Sequence, residues 1–408
     1  MNIQCLKCKG RGFCGREFCS ILAKSEAIFK VRDELNKEEF IGSSPAPFVG
    51  HYGYPFLNVG VLSTPYIVDE VWEYDAPRYW AANNYQIPQI IDFRSSLINS
   101  RFKSHAQDRS KLLELSKEVG MASLPVDIEV KLDQKPKFRL NTDAYTAPMG
   151  AHAKLEKAYI TSSPKIHTKV EKVYSDSDLK ANDALIYLYD NNFDENFLTK
   201  LLSVGTLGLK RSRKLVPTRW SITATDDILA KNLIEQIKQN NDINYQAYFG
   251  SYLGNYYLIL FFPEKWSYEL FETYLPKASW NVSNKISYMT DYEGYDGRKS
   301  YAENCAGGYY AARLPILEKL SKLKRQGTVL TLRFITGEYA VPLGVWIVRE
   351  ATRKALANKP IEFSDRELML KYARSLIKKK FNYDLDNLLK NSIILKNLKN
   401  QMKLTKFF

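Results

Sequence analysis

The stretch Asp226–Phe262, DDILAKNLIEQIKQNNDINYQAYFGSYLGNYYLILFF, is where the fold class can be read. Its first part carries Leu229, Leu233 and Ile237 at intervals of four, an apolar stripe on one face of a helix over 226–239. Asp226 or Asp227 stands where an N-cap belongs. The second part changes period. Two aromatic-rich runs, Tyr245–Phe249 and Tyr256–Phe262, flank Gly250-Ser251 and Gly254-Asn255, the pattern of an antiparallel hairpin. From this helix and hairpin outward, helices and strands interleave without a clean βαβ rhythm, which points to an α+β architecture.

Working outward, Ser267–Leu275 reads as a short helix, Thr328–Ile335 as a strand and Val345–Leu356 as a helix. Upstream, Asp176–Val204 is helical with a break at Asp190-Asn191-Asn192, and Asp127–Tyr174 alternates like strands with long connections. Ser43–Pro65, rich in Gly, Pro and aromatics, reads as an extended segment laid over a core. No strand is followed by G-x-G-x-x-G and there is no P-loop, so a doubly wound nucleotide fold is not indicated. Repeats of 20–50 residues are absent too, which removes solenoids and propellers.

The chain has 408 residues, room for about two to four domains. With 45% apolar and 25% charged residues it is ordinary globular material rather than disordered or fibrous. The longest apolar run, Tyr256–Pro263, falls far short of the roughly 20 residues of a bilayer span. No apolar leader occupies the first 25 residues, so a soluble cytoplasmic protein without membrane contact is expected. Net charge is +14, and Ala351–Phe408, with 14 Lys/Arg against 5 Asp/Glu, supplies +9 of it. So asymmetric a charge suits a polyanionic partner: DNA, RNA or an acidic protein.

Four of the five cysteines, Cys5, Cys8, Cys14 and Cys19, fall in one short segment spaced C-x2-C-x5-C-x4-C. Four thiolates so spaced can close a tetrahedral Zn²⁺ site, and the metal would then supply the folding energy that so short a segment lacks. Two disulfides are the competing arrangement in an oxidising compartment. Phe13 and Phe18 could offer stacking faces to single-stranded nucleic acid, or pack the knuckle onto the body. Cys305 stands apart and reads as a buried small hydrophobe.

Three stretches are dense in chemistry. Val216–Thr223 (VPTRWSIT) reads as a strand, with Arg219 to clamp an anion and Trp220 to stack on a ring. Gly307–Leu314 (GGYYAARL) opens a helix with Tyr309, Tyr310 and Arg313. Glu338–Trp346 is followed by Arg349 and Arg353 on one helical face. An enzyme acting on DNA or a nucleotide would need Arg219, Tyr309, Arg313, Glu338 and Arg349 to converge in one pocket. Asp291 and Glu293 are the nearby carboxylate pair that a two-metal nuclease would use. In each stretch the structural alternative is core packing and salt bridges.

Ser364-Asp365-Arg366-Glu367 is a capping box opening a helix that ends in Lys378-Lys379-Lys380, and Asp384–Leu398 is a second amphipathic helix. The sequence then runs Gln401-Met402-Lys403-Leu404-Thr405-Lys406-Phe407-Phe408. One tight turn would gather Leu404, Phe407 and Phe408 into an apolar plug, with Gln401 free to hydrogen-bond beside it. That ending looks like the peptide by which proteins bind the sliding clamp PCNA. The organisation expected is a zinc knuckle (1–25), a central α+β domain (40–358), a basic helical segment (359–400) and a clamp peptide (401–408).

Taken together, the Cys5/Cys8/Cys14/Cys19 finger, Phe48–Pro55 (FVGHYGYP), VPTRWSIT, GGYYAARL, Pro342–Trp346 (PLGVW) and the terminal octapeptide resemble the archaeal Nre DNA-repair family over nearly the whole chain. The resemblance implies a nucleoid-associated DNA-damage function exercised through clamp binding, with no established reaction attached.

Overall fold

The computed structural model describes residues 8, 11, 13, 19–30, 32–33, 36–137, 147–276, 278, 281, 283 and 285–400. The chain divides into two compact units, residues 1–229 with 340–344, and residues 230–339 with 345–408. The span 40–358 is therefore shared between them. The architecture is α+β, as the interleaved pattern predicts.

In the first unit, α1 (Ser20–Lys30) precedes β1 (Glu39–Ser44), β2 (Ala46–Val49) and β3 (Phe56–Ser63). Then come α2 (Pro77–Ala82), α3 (Ile87–Ser96), β4 (Ile98–His105), α4 (Lys111–Met121), β5 (Val126–Leu132) and β6 (His152–Ile160). Three helices follow: α5 (Thr168–Ser175), α6 (Ala181–Asp190) and α7 (Glu195–Ser203). The strand order is β1-β5-β6-β4-β3-β2, with β4 and β6 parallel and the other neighbours antiparallel.

The two ends of that order are one run of chain. Pro45 alone separates β1 from β2; the Thr64 N–H donates to Ser43 O at 3.0 Å and the Ser44 hydroxyl to Leu62 O at 2.8 Å. Glu39–Val49 is thus a bent strand that closes the sheet into a barrel. Leu57, Val59, Val61, Ile98, Ile128, Val130 and Leu155 fill it, and α4 packs Leu113, Leu115 and Val119 against them. Ser43–Pro65 is accordingly barrel wall, not a segment laid over a core. A Cβ on Gly60 would strike the Ser100 carbonyl of β4, so that glycine marks close strand approach rather than a loop.

The division between units falls within α8 (Thr218–Ile237). The second unit continues with β7 (Asn241–Asp242), β8 (Gln246–Tyr252), β9 (Asn255–Phe262), β10 (Ser267–Tyr274) and β11 (Ser287–Glu293). After α9 (Ala306–Leu323) come β12 (Arg325–Gln326), β13 (Thr328–Ile335), α10 (Trp346–Ala357) and β14 (Ile361–Glu362). Three helices end the described chain: α11 (Arg366–Phe381), α12 (Asp386–Leu389) and α13 (Ile393–Asn400). Its sheet runs β11-β10-β13-β9-β8-β14, with β10 and β13 parallel.

The hairpin read from Tyr245–Phe262 is present: β8 pairs with β9 from Gln246↔Phe261 to Tyr252↔Asn255. Four readings change. Ser267–Leu275 is not a helix, because β10 is buried on both faces: Glu269 and Phe271 look one way, Leu270 and Glu272 the other. Val216–Thr223 is not a strand, because α8 already starts at Thr218, leaving Asp226 buried in the helix interior instead of capping it. Asp365, not Ser364, caps α11, accepting the Leu368 N–H at 2.9 Å. The 384–398 region is two helices interrupted at Lys390-Asn391-Ser392.

One sheet face packs Leu258, Leu260, Phe271, Leu330 and Leu332 against Met369, Ala373 and Ile377 of α11, Leu388 of α12 and Ile394 of α13. The basic helices of 359–400 therefore belong to this unit's core, with Lys378, Lys379 and Lys380 left exposed. The opposite face lies under α10, and α9 meets it where Gly308 approaches Glu272 and Arg313 pairs with Glu293.

Candidate functional site

The sheet face under α9 carries an ionic network. Arg333 of β13 donates through Nη1 to Glu272 Oε1 (2.5 Å) and through Nε and Nη2 to Asn255 Oδ1 (3.1 and 2.5 Å). The Tyr274 hydroxyl donates to the other Glu272 oxygen at 3.0 Å. In α9, Arg313 Nη1 donates to Glu293 Oε2 at 2.5 Å, and its guanidinium lies over the rings of Tyr309 and Tyr310. Asp291 accepts the Cys305 N–H at 2.7 Å and pairs with Arg298 at 3.3 Å. Each carboxylate has an arginine, which is what desolvated charge requires. The same pairing makes Asp291 and Glu293 a poor donor set for two metal ions.

Burial also silences the nucleophiles here. Burial pushes the Cys305 thiol up, with Glu272 and Asp291 adding to the shift, so it stays protonated. Burial likewise raises Tyr268 and Tyr309 well above the ordinary phenol value. Gly308 in α9 serves packing: a Cβ there would meet Glu272 Oε1.

Of the five candidate catalytic residues, Arg219 stands exposed in the first unit and the other four in the second. Tyr309, Arg313 and Arg349 are buried to 1% exposure or less, whereas Glu338 is exposed and accepts from the Tyr256 hydroxyl at 3.3 Å. Within the second unit these four thus share no solvent-accessible pocket. Arg353 binds Glu318 through two nitrogens (3.0 and 2.9 Å) and Glu350 through a third (2.6 Å), a structural clamp between α9 and α10.

Two features bear on the chain ends. Cys8 is buried; its Sγ accepts the Phe13 N–H at 3.2 Å, and its carbonyl accepts the Arg11 N–H at 2.8 Å. Cys19 is partly buried just before α1. Cys5, Cys14 and the octapeptide with Gln401, Leu404, Phe407 and Phe408 lie outside the described residues. The octapeptide follows α13, whose N-terminus is held by Glu269 of β10. That carboxylate accepts the Ser392 hydroxyl (2.6 Å) and the N–H groups of Ile393 (2.9 Å) and Ile394 (3.2 Å). Glu269 was not singled out from the sequence. Its one signal is a charged residue inside an apolar run. No helix among the described residues is long and apolar enough to cross a membrane.

Residues 13–281 match the family description "Archaeal Nre, N-terminal" and residues 293–407 match "Archaeal Nre, C-terminal". Similar proteins include DNA repair protein NreB of Archaeoglobus fulgidus, 37% identical over 97% of both chains. DNA repair protein NreA of the same organism is 36% identical over 89% of this chain and 91% of its own. DNA repair protein NreA of Haloferax volcanii is 34% identical over 80% of this chain and 79% of its own. No solved structure matches the chain.

Proposed function

The chain belongs to the archaeal Nre family, and from that premise we propose that it is a DNA-repair factor held on DNA by the sliding clamp PCNA through Gln401, Leu404, Phe407 and Phe408. The octapeptide carries the reading. It joins the body through α13, which Glu269 ties to β10, so the peptide is tethered to a fixed point on the second unit. Tethering matters energetically, because a clamp encircling DNA raises the effective concentration of whatever it holds. The exposed Lys378, Lys379 and Lys380 at the end of α11 add positive charge to the same unit.

In this reading Cys5, Cys8, Cys14 and Cys19 hold one structural Zn²⁺. The fit at Cys8 supports it: a buried sulfur accepting a backbone N–H is suited to carry thiolate charge. Zinc would fix the knuckle, with no part in a reaction.

The test is capture of the full chain by PCNA, against a chain lacking residues 401–408. Loss of capture with an unchanged unfolding midpoint is expected. Equal capture of the truncated chain overturns the tether. One zinc per chain, measured by metal analysis after removal of loosely bound ions, is the corresponding test of the knuckle.

A further inference from the structure

The barrel of the first unit has a definite order. Counting Glu39–Val49 as one strand, five strands pair 1-2, 2-3, 3-5, 5-4 and 4-1, the 3-5 contact (β4 with β6) being parallel. A helix, α4, lies between the third and fourth strands and packs on the barrel core. This is the connectivity of an oligonucleotide-binding (OB) barrel, whose second and third strands and first loop form the usual ligand face. Topology alone would be analogy. The side chains on that face make the case.

On β3 and β4 the register sets Phe56 opposite His105 and Asn58 opposite Lys103, and Gly60 opposite Arg101 on the same outward side. Leu57, Val59 and Val61 alternate inward. Phe56 is 64% exposed, with its ring edge-on to His105 at 5.2 Å. The first loop, Gly50–Pro55, adds Tyr52 at 78% and Tyr54 at 43% exposure. Tyr54 lies 5.6 Å from the ring of Trp220, itself 47% exposed in the first turn of α8. That turn is pinned to the barrel, since the Val49 N–H donates to Thr218 Oγ1 at 3.1 Å. Four large rings of the first unit, the Tyr54–Trp220 pair with Phe56 and Tyr52, are thus presented to water, where folding gains nothing by placing them.

Cations stand beside them. Among the described residues Arg101, Lys103 and Arg219 have no carboxylate partner, and Lys103 and Arg219 are exposed. Asp108, at the end of β4, is occupied by the Ser104 hydroxyl and the Arg109 N–H. Exposed aromatic faces interleaved with unpaired cations are what an unpaired polynucleotide needs: rings stack on bases while guanidinium and ammonium groups follow phosphates. A duplex hides its base faces and could use only the charges.

We propose that the outer face of β3 and β4, with Tyr52, Tyr54 and Trp220, is a single-stranded DNA-binding site, with bases stacked on Phe56 and Trp220. The choice of DNA over RNA rests on the DNA-repair reading above; the stacking geometry does not.

The experiment uses the full chain, a labelled oligo-dT of about 15 nucleotides, comparable to an OB site size, a duplex of equal length, and oligo-U. Expected are tighter binding of oligo-dT than of duplex and quenching of tryptophan fluorescence that is lost in Trp220→Ala. The Phe56→Ala and Trp220→Ala variants should each weaken oligo-dT binding about 5- to 100-fold, as stacking losses do, with duplex affinity and unfolding midpoint unchanged. Lys103→Glu should weaken both DNAs. Equal oligo-dT affinity in the ring variants, or wild-type preference for duplex, overturns the site. Preference for oligo-U overturns the assignment to DNA. Removing residues 401–408 should leave oligo-dT binding intact, so failure here and failure of the clamp tether read out separately.

Discussion

Replacing Glu269 with alanine tests whether the last helix is fixed to the sheet or merely lies on it. The wild-type carboxylate accepts three hydrogen bonds, from Ser392 Oγ, Ile393 N–H and Ile394 N–H, at 2.6, 2.9 and 3.2 Å. Ser392 and Ile394 are buried to 1% exposure or less, so water cannot replace the lost acceptor for them. A lost helix cap costs about 1 kcal/mol, and a buried donor left unsatisfied about 1–3 kcal/mol more. A loss of about 2–4 kcal/mol is therefore expected, read as a lower urea midpoint at constant slope. Amide exchange should quicken first over Ile393–Asn400.

The pH dependence gives a second handle on the same residue. Burial raises the Glu269 pKa above its ordinary value of 4.5, while bonds from Ser392, Ile393 and Ile394 oppose the rise. A carboxyl whose pKa is raised by folding contributes stability that is complete below its unfolded pKa and drains away as pH climbs through the folded one. The wild-type advantage over Glu269→Ala should thus be greater at pH 4 than at pH 8. An unchanged midpoint at every pH, or an advantage that grows with pH, refutes the argument.

Other variants probe other links. Gly308→Ala should lower the melting temperature, although alanine gains about 1 kcal/mol in helix propensity, because the methyl displaces Glu272 from Arg333. Arg313→Met leaves Glu293 buried and unpaired, which should cost about 3–5 kcal/mol in urea unfolding; Glu293→Gln in the same chain should restore much of it. Asp75 lies between Arg94 at 2.7 Å and Lys200 at 3.0 Å. Burial pushes its carboxyl up, but the two cations outweigh burial and hold it below 3.8. Its contribution is therefore present above that value and lost as pH falls through the lowered one, so Asp75→Asn should flatten acid unfolding measured between pH 5 and 2.

Local periodicity carried far where one face of an element meets water or one period dominates. The β8–β9 hairpin, β13, α10 and the broken helical run before Val204 are all legible in the chain. It failed at β10, where both faces are buried and Glu269 and Glu272 fall three apart, a helical interval by coincidence. It failed again at Val216–Thr223, whose β-branched and aromatic residues favour a strand, while a tertiary bond from Val49 to Thr218 accompanies a helix start. The string GGYYAARL was conspicuous, yet its tyrosines and arginine serve a buried ion pair.

What can be read without coordinates is short-range: an α+β pattern, four closely spaced cysteines, a basic final segment and an octapeptide that closes on paired aromatics. These are properties of neighbours along the chain, and they survive whatever the fold does. Barrel closure, the alignment of Phe56 with His105 and of Asn58 with Lys103, and the anchoring of α13 by Glu269 depend on pairing between residues 18 to 125 positions apart. Such pairings are chosen by global packing and strand register, where a slip of one residue exchanges the buried face for the exposed one. Only the folded chain decides which rings are core and which are left for a partner.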